Sequence, residues 1–150
     1  MSAGDLGPVL FAYDGSDLAR LAIEEAGRQL QARREAVVLT VWRPFAVGFI
    51  PPPEVEFNAA ASEEVRKAAE ETAAQGASMA QAAGFGAQGL AVKQAPTWKG
   101  IARAADDHDA SLIVLGSHGK SGLTGIFLGS VAGAVAAHSG RTVLIVHRRA

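Results

Sequence analysis

Residues 111–130 read SLIVLGSHGKSGLTGIFLGS: a wholly apolar run ending at Leu115 passes without a spacer into a segment with glycine at 116, 119, 122, 125 and 129. A short apolar run of this kind suits a strand buried on both faces. Glycine lets the chain turn through positive φ and approach an anion closely, exposing amide N–H groups as donors. His118, Lys120, Ser121 and Ser130 add side-chain donors. A helix expected from about Ile126 to His138 adds a favourable dipole. Together these features suit a polyphosphate. The plainer reading is a loop whose glycines serve packing alone.

Outward from this stretch, apolar and amphipathic runs alternate. Pro8 to Tyr13 reads as a first strand, ended by the turn Asp14-Gly15-Ser16. Ser16 suits the N-cap of a helix reaching about Arg33, with Leu18, Leu21, Ala22, Ala26 and Leu30 near helical spacing. Ala36 to Trp42 is a second strand, and the proline-rich segment from Pro44 to Pro53 a loop. Ala59 to Ala83 has high helix propensity and is closed by Gly84. Gly89 to Gln94 is a weaker strand, Thr97 to His108 a helix, and Arg141 to His147 a final strand. Five strands separated by helices imply right-handed crossovers and a parallel α/β sheet covered on both faces. No linker-like composition or repeat divides the 150 residues, so one domain is expected. In such sheets ligands collect beyond the carboxyl ends of the strands, where strand order reverses.

Composition removes several functions. There are 14 Lys and Arg against 15 Asp and Glu, too balanced for a general nucleic-acid or anionic-membrane binder. The absence of cysteine excludes disulfides, thiolate metal sites and thiol nucleophiles. The N-terminus lacks the pattern of a secretory leader, so a cytoplasmic setting is expected. Ser121 to Ala137 is too short and too rich in glycine to span a bilayer. Its Gly125, Gly129 and Gly133 only imitate a membrane dimerisation motif. Gly119-Lys120-Ser121 would end a P-loop only if glycine stood at Val114. Gly84 to Gly89 is a literal G-x-G-x-x-G, but it follows a helix and precedes a strand, the reverse of a dinucleotide fingerprint.

Gly116-x-x-Gly119, nine intervening residues, then Gly129-Ser130, set between an apolar strand and a terminal one, resembles the ATP-binding branch of the universal stress protein family. Asp14-Gly15-Ser16 after the first strand and Leu39-Thr40-Val41 near the end of the second match it too. The resemblance runs from Pro8 to His147. It implies a Rossmann-like five-stranded sheet of order 3-2-1-4-5, usually a homodimer, and ATP with Mg²⁺ as ligand. By the same resemblance Asp14, with the Gly15-Ser16 turn, meets the nucleoside end and Val41 lies against adenine. Gly116, Gly119, Gly129, Ser130 and Val131 supply phosphate and ribose contacts, largely through backbone amides, and Ser117 stands in the same loop. In place of the glycine common two residues before the proline after strand three, this chain has Gln94, expected to restrict the loop near the ribose and lower affinity.

Each residue also has a plainer role. Asp14 is a natural turn former. Beside phosphate its carboxylate would repel, so ribose, the adenine edge or a metal ion is the better partner. His118 and Lys120 are expected to meet the anion, or else to be solvated. His108, His138 and His147 share no metal-ligand spacing. Trp42 and Trp98 are expected to fill core space rather than stack on a base. Phe45, Phe49, Ile50 and Phe57 suggest a lid or partner surface, or a loop tucked onto its own core. The last strand, at the sheet edge in that order, invites dimerisation through Val143 to Val146. No strong catalytic set is legible, since phosphoryl transfer wants a positioned base and metal ligands. An ATP-binding stress-response protein is therefore expected, with slow hydrolysis or self-phosphorylation at Ser117, Ser121 or Ser130 open to it. A nucleotide-independent dimeric scaffold and a genuine ATPase or nucleotidyl-transfer domain are the alternatives.

Overall fold

Strands that are apolar on alternate and intervening positions alike must be covered on both sides, and here they are. The structure is a computed structural model describing residues 6–31, 33–43, 59–119 and 128–148. The order is β1 (Val9–Ala12), α1 (Asp17–Gln29), β2 (Glu35–Trp42), α2 (Ala59–Ala82), β3 (Gly86–Lys93), α3 (Thr97–Asp107), β4 (Leu112–Gly116), α4 (Ser130–His138) and β5 (Val143–Val146). All strand pairs are parallel, in the order β3-β2-β1-β4-β5. The open α/β sheet expected from the sequence is the one observed.

Alternation along each strand divides the core. Val9, Phe11, Val38 and Val114 cluster with Ala22, Ile23 and Ala26 of α1 and Ala77 and Ala80 of α2. Leu10, Leu39, Ile113 and Leu115 cluster on the other face with Ile101, Ala104 and Ala105 of α3 and Val135 of α4. The side chain of Ser16 caps α1, accepting from the Ala19 amide at 3.2 Å, as its type and place lead one to expect.

The long helix α2 presents small residues to the sheet: Ala69, Ala73, Ala77 and Ala80 are buried. That lets its backbone come close. A Cβ on Gly76 would fall 2.6 Å from Tyr13 Cδ1 and 2.7 Å from Val38 Cγ1. Gly76→Ala is therefore expected to lower unfolding free energy by about 1–3 kcal/mol, the usual cost of overpacking, although alanine is the better helix former. Urea denaturation measures it.

Several boundaries differ from the sequence reading. α1 stops at Gln29, not Arg33, because Leu30 turns extended; Arg33 takes φ 68° and its amide donates to the Gly84 carbonyl. β3 begins at Gly86, not Gly89, because the whole segment pairs in register with Glu35–Trp42. Pairing overrides its weak β propensity. Part of the literal G-x-G-x-x-G thus lies within a strand. α4 begins at Ser130 with Gly129 as N-cap, four residues after the expected start. Leu128 and Gly129 are already outside the helix.

β5 is an edge strand, as expected, paired only with β4. Arg141 lies just before it in the chain. Its guanidinium turns onto the end of α3, donating to Asp106 at 3.0 Å, Asp109 at 3.2 Å and the Ala110 carbonyl at 2.6 Å. Among the described residues no helix is long and apolar enough to cross a membrane.

Candidate functional site

β1 and β4 are neighbours at the reversal of strand order, with β2 on one side of the pair and β5 on the other. Open α/β sheets carry their ligand crevice at this point, beyond the carboxyl ends. The segments that leave those ends are Tyr13–Ser16 and Gly116–Gly119.

Tyr13 continues β1 by donating its amide to the Leu39 carbonyl at 2.8 Å. Its own carbonyl accepts from buried Thr40 Oγ1 at 2.9 Å. That threonine, a polar residue inside the apolar run of β2, pins the exits of two strands; no site role was assigned to it from the sequence. Asp14 then forms the turn: Oδ1 accepts the Ser16 amide at 2.9 Å, while Gly15 takes φ 82°. The turn-forming reading of Asp14 therefore holds for one oxygen. The other, Oδ2, lies 2.7 Å from where a Cβ on Gly119 would be. Two segments about 100 positions apart in sequence thus face each other across the crevice.

The glycines on the β4 side have a reason different from the one expected. Among the described residues the glycines at positive φ are Gly15 and Gly84, not Gly116, Gly119 or Gly129. Close approach explains these three instead. A Cβ on Gly116 would meet Leu18 Cγ of α1 at 2.8 Å, and one on Gly129 the Ser117 carbonyl at 3.0 Å. Packing accounts for Gly116. Gly119 differs, because among the described residues only the Asp14 carboxylate comes within 4 Å of where its side chain would begin.

The two halves of the glycine pattern join directly. The Gly129 amide donates to the Ser117 carbonyl at 2.7 Å, and the Ser117 amide to the Val146 carbonyl of β5 at 2.9 Å. These two amides are spent inside the protein. Among the described residues the amides of His118, Gly119, Ser130 and Val131 have no backbone acceptor. They belong to one short strap and one helix start, which the Gly129–Ser117 bond brings together at the amino end of α4. Such a donor set suits an anion. Ser117 is buried, with Oγ 3.1 Å from His118 Nδ1, which ties down one edge of the imidazole.

Other expected residues fall as follows. Val41 lies near the carboxyl end of β2, packed on the α3–α4 side of the sheet. Ser130 is exposed at the first turn of α4, and Val131 is partly buried against the core. Lys120 and Ser121 lie outside the described residues, as do Phe45, Phe49, Ile50 and Phe57. Trp42 is buried, and Trp98 stacks on His138 with ring centroids 4.8 Å apart. His108 Nδ1 donates to the Ala104 carbonyl at 3.2 Å. Among the described residues no three His, Asp or Glu side chains gather as a metal cage.

Comparison with known proteins adds the following. The sequence pattern of the universal stress protein family matches residues 6–147. Universal stress protein Rv2005c of Mycobacterium tuberculosis is 32% identical over 143 residues, covering 95% of this chain and 45% of that protein. The chain thus spans about half the length of the curated relatives it matches. Among solved structures, hypothetical protein MJ0577 is similar at TM-score 0.75 and 25% identity, over 96% of this chain and 97% of that one. A universal stress protein solved in complex with cAMP is similar at TM-score 0.59 and 27% identity, over 95% and 97% of the two chains.

Proposed function

The chain belongs to the universal stress protein family, and from that premise we propose that it is an ATP-binding stress-response module, with nucleotide as a structural or signalling ligand. The observation that carries this reading is the joining of Gly129 to Ser117, which brings together the amides of His118, Gly119, Ser130 and Val131, none with a backbone acceptor among the described residues. A relative that carries cAMP supports nucleotide as the ligand class. The donor set fits a polyphosphate: it is neutral backbone N–H plus a helix start, and Gly119 itself adds no side chain to it.

In this reading His118, Gly119, Ser130 and Val131 hold the phosphates. Lys120 and Ser121 add charge and donors from the same loop. The Oδ2 of Asp14 takes a ribose hydroxyl, a donor that welcomes a carboxylate where phosphate would be repelled. Val41 offers the base an apolar surface. Mg²⁺ enters as the counter-ion of the triphosphate. We further read residues 1–150 as one nucleotide-binding unit, cytoplasmic, pairing with a second copy along Val143 to Val146.

Differential scanning fluorimetry with Mg²⁺-ATP tests the reading. At a nucleotide concentration about 100 times Kd, unfolding free energy is expected to rise by about 2.7 kcal/mol. No shift at millimolar ATP would leave the nucleotide-independent scaffold in its place.

A further inference from the structure

Gln94 stands one residue beyond β3, its amide donating to the Trp42 carbonyl at the end of β2 at 3.1 Å. On the α3–α4 side of the sheet, Val41 and Gln94 converge on α3. A Cβ added to Gly100 would lie 3.0 Å from Gln94 Cβ and 3.0 Å from both Val41 methyls. Gly100 is buried and lets the first turns of α3 close on this pair. The carboxamide is little used: among the described residues its bond is from Nε2 to the adjacent Ala95 carbonyl, 3.3 Å away. Gln94 is half-buried, and its carboxamide is not committed to the core.

From these positions we infer that Gln94 reads the base of the bound nucleotide and selects adenine; this rests on the nucleotide reading above. The donor strap lies over β4, the Asp14 carboxylate over β1, Val41 over β2 and Gln94 beyond β3. Three strand spacings separate β4 from β3, about 14 Å, the scale of an extended nucleoside triphosphate. A nucleotide whose phosphates rest on the strap therefore brings its base to Val41 and Gln94. Val41 contacts the ring face, which all bases share, and the carboxamide contacts an edge, which they do not. A carboxamide offers one donor beside one acceptor. Adenine presents the complementary pair, the N6 amino donor beside the N7 acceptor, whereas guanine presents two acceptors, O6 and N7. Gln94 thus does more than narrow the loop.

The test is calorimetric titration of the wild type, Gln94→Ala and Gln94→Met with ATP, GTP, 7-deaza-ATP and inorganic triphosphate. The wild type is expected to prefer ATP over both GTP and 7-deaza-ATP by about tenfold or more. Both variants are expected to bring these ratios close to one while leaving triphosphate affinity unchanged. The Met variant keeps the length of the side chain and removes its polar pair, so it separates base reading from loop packing. Variants that bind nucleotide with the wild-type selectivity overturn the inference and leave the nucleotide reading standing. A wild type that binds no nucleotide overturns both.

Discussion

Gly119→Asp is expected to abolish the ATP-dependent thermal shift, a loss of about 2.7 kcal/mol of ligand-induced stabilisation at 100 times Kd. The new Cβ would lie 2.7 Å from Asp14 Oδ2, and the substitution adds a second carboxylate beside the proposed phosphate strap. At about 4 Å, two like charges repel by about 1–4 kcal/mol for dielectric constants between those of water and a protein surface. A triphosphate would meet both carboxylates at once. The unliganded fold should survive, because the atom in the way ends a short side chain and, among the described residues, nothing else lies within 4 Å. Gly119→Ala provides the control, adding the Cβ without the charge, and should weaken the shift without erasing it. Circular dichroism of each unliganded variant checks the fold. A full shift in Gly119→Asp would move the phosphate site away from this strap.

Phe11→Ala carries the largest expected loss of stability. Phe11 is 1% exposed in the middle of β1 and meets Phe85 edge-on, with centroids 5.2 Å apart and planes at 76°. Truncating a buried phenylalanine costs about 3–5 kcal/mol, through lost burial and the cavity left behind. Against a typical domain stability of 5–15 kcal/mol, that is a large share. Urea denaturation should show a lower midpoint with an unchanged slope, since the surface exposed on unfolding is nearly the same. A loss under about 1 kcal/mol would mean that α1 and α2 collapse into the vacated space and that the core between them is looser than its burial implies. Phe11 sits under the exit of β1, so its loss should also loosen the Asp14 turn and weaken any ligand stabilisation.

The sites of these two substitutions were not equally legible in the sequence. Phe11 belongs to a run, VLFA, in which every position is apolar, and such a run is buried wherever the strand lies in a covered sheet. Ser16 as a cap, Gly84 as a helix stop and the alternation of strands with helices are likewise local signals, carried by residues within one turn or one strand of each other. The glycines of the β4 loop were legible as a pattern, but their physical reason was not. Positive φ is a property of one residue. The contacts of Gly116 with Leu18, of Gly119 with Asp14 and of Gly129 with Ser117 involve partners set by the fold.

The chain's own chemistry determined where strands and helices lie, that the sheet is parallel and covered on both faces, and which loop is rich in donors, because propensity and hydrophobic period act between near neighbours. Tertiary structure alone decided that the Ser117 and Gly129 amides are spent inside the protein, how far β3 extends along β2, and that Val41 and Gln94 share one face of α3. Those outcomes depend on backbones brought within about 3 Å of each other across long stretches of chain, a closeness that packing creates and that no local pattern encodes.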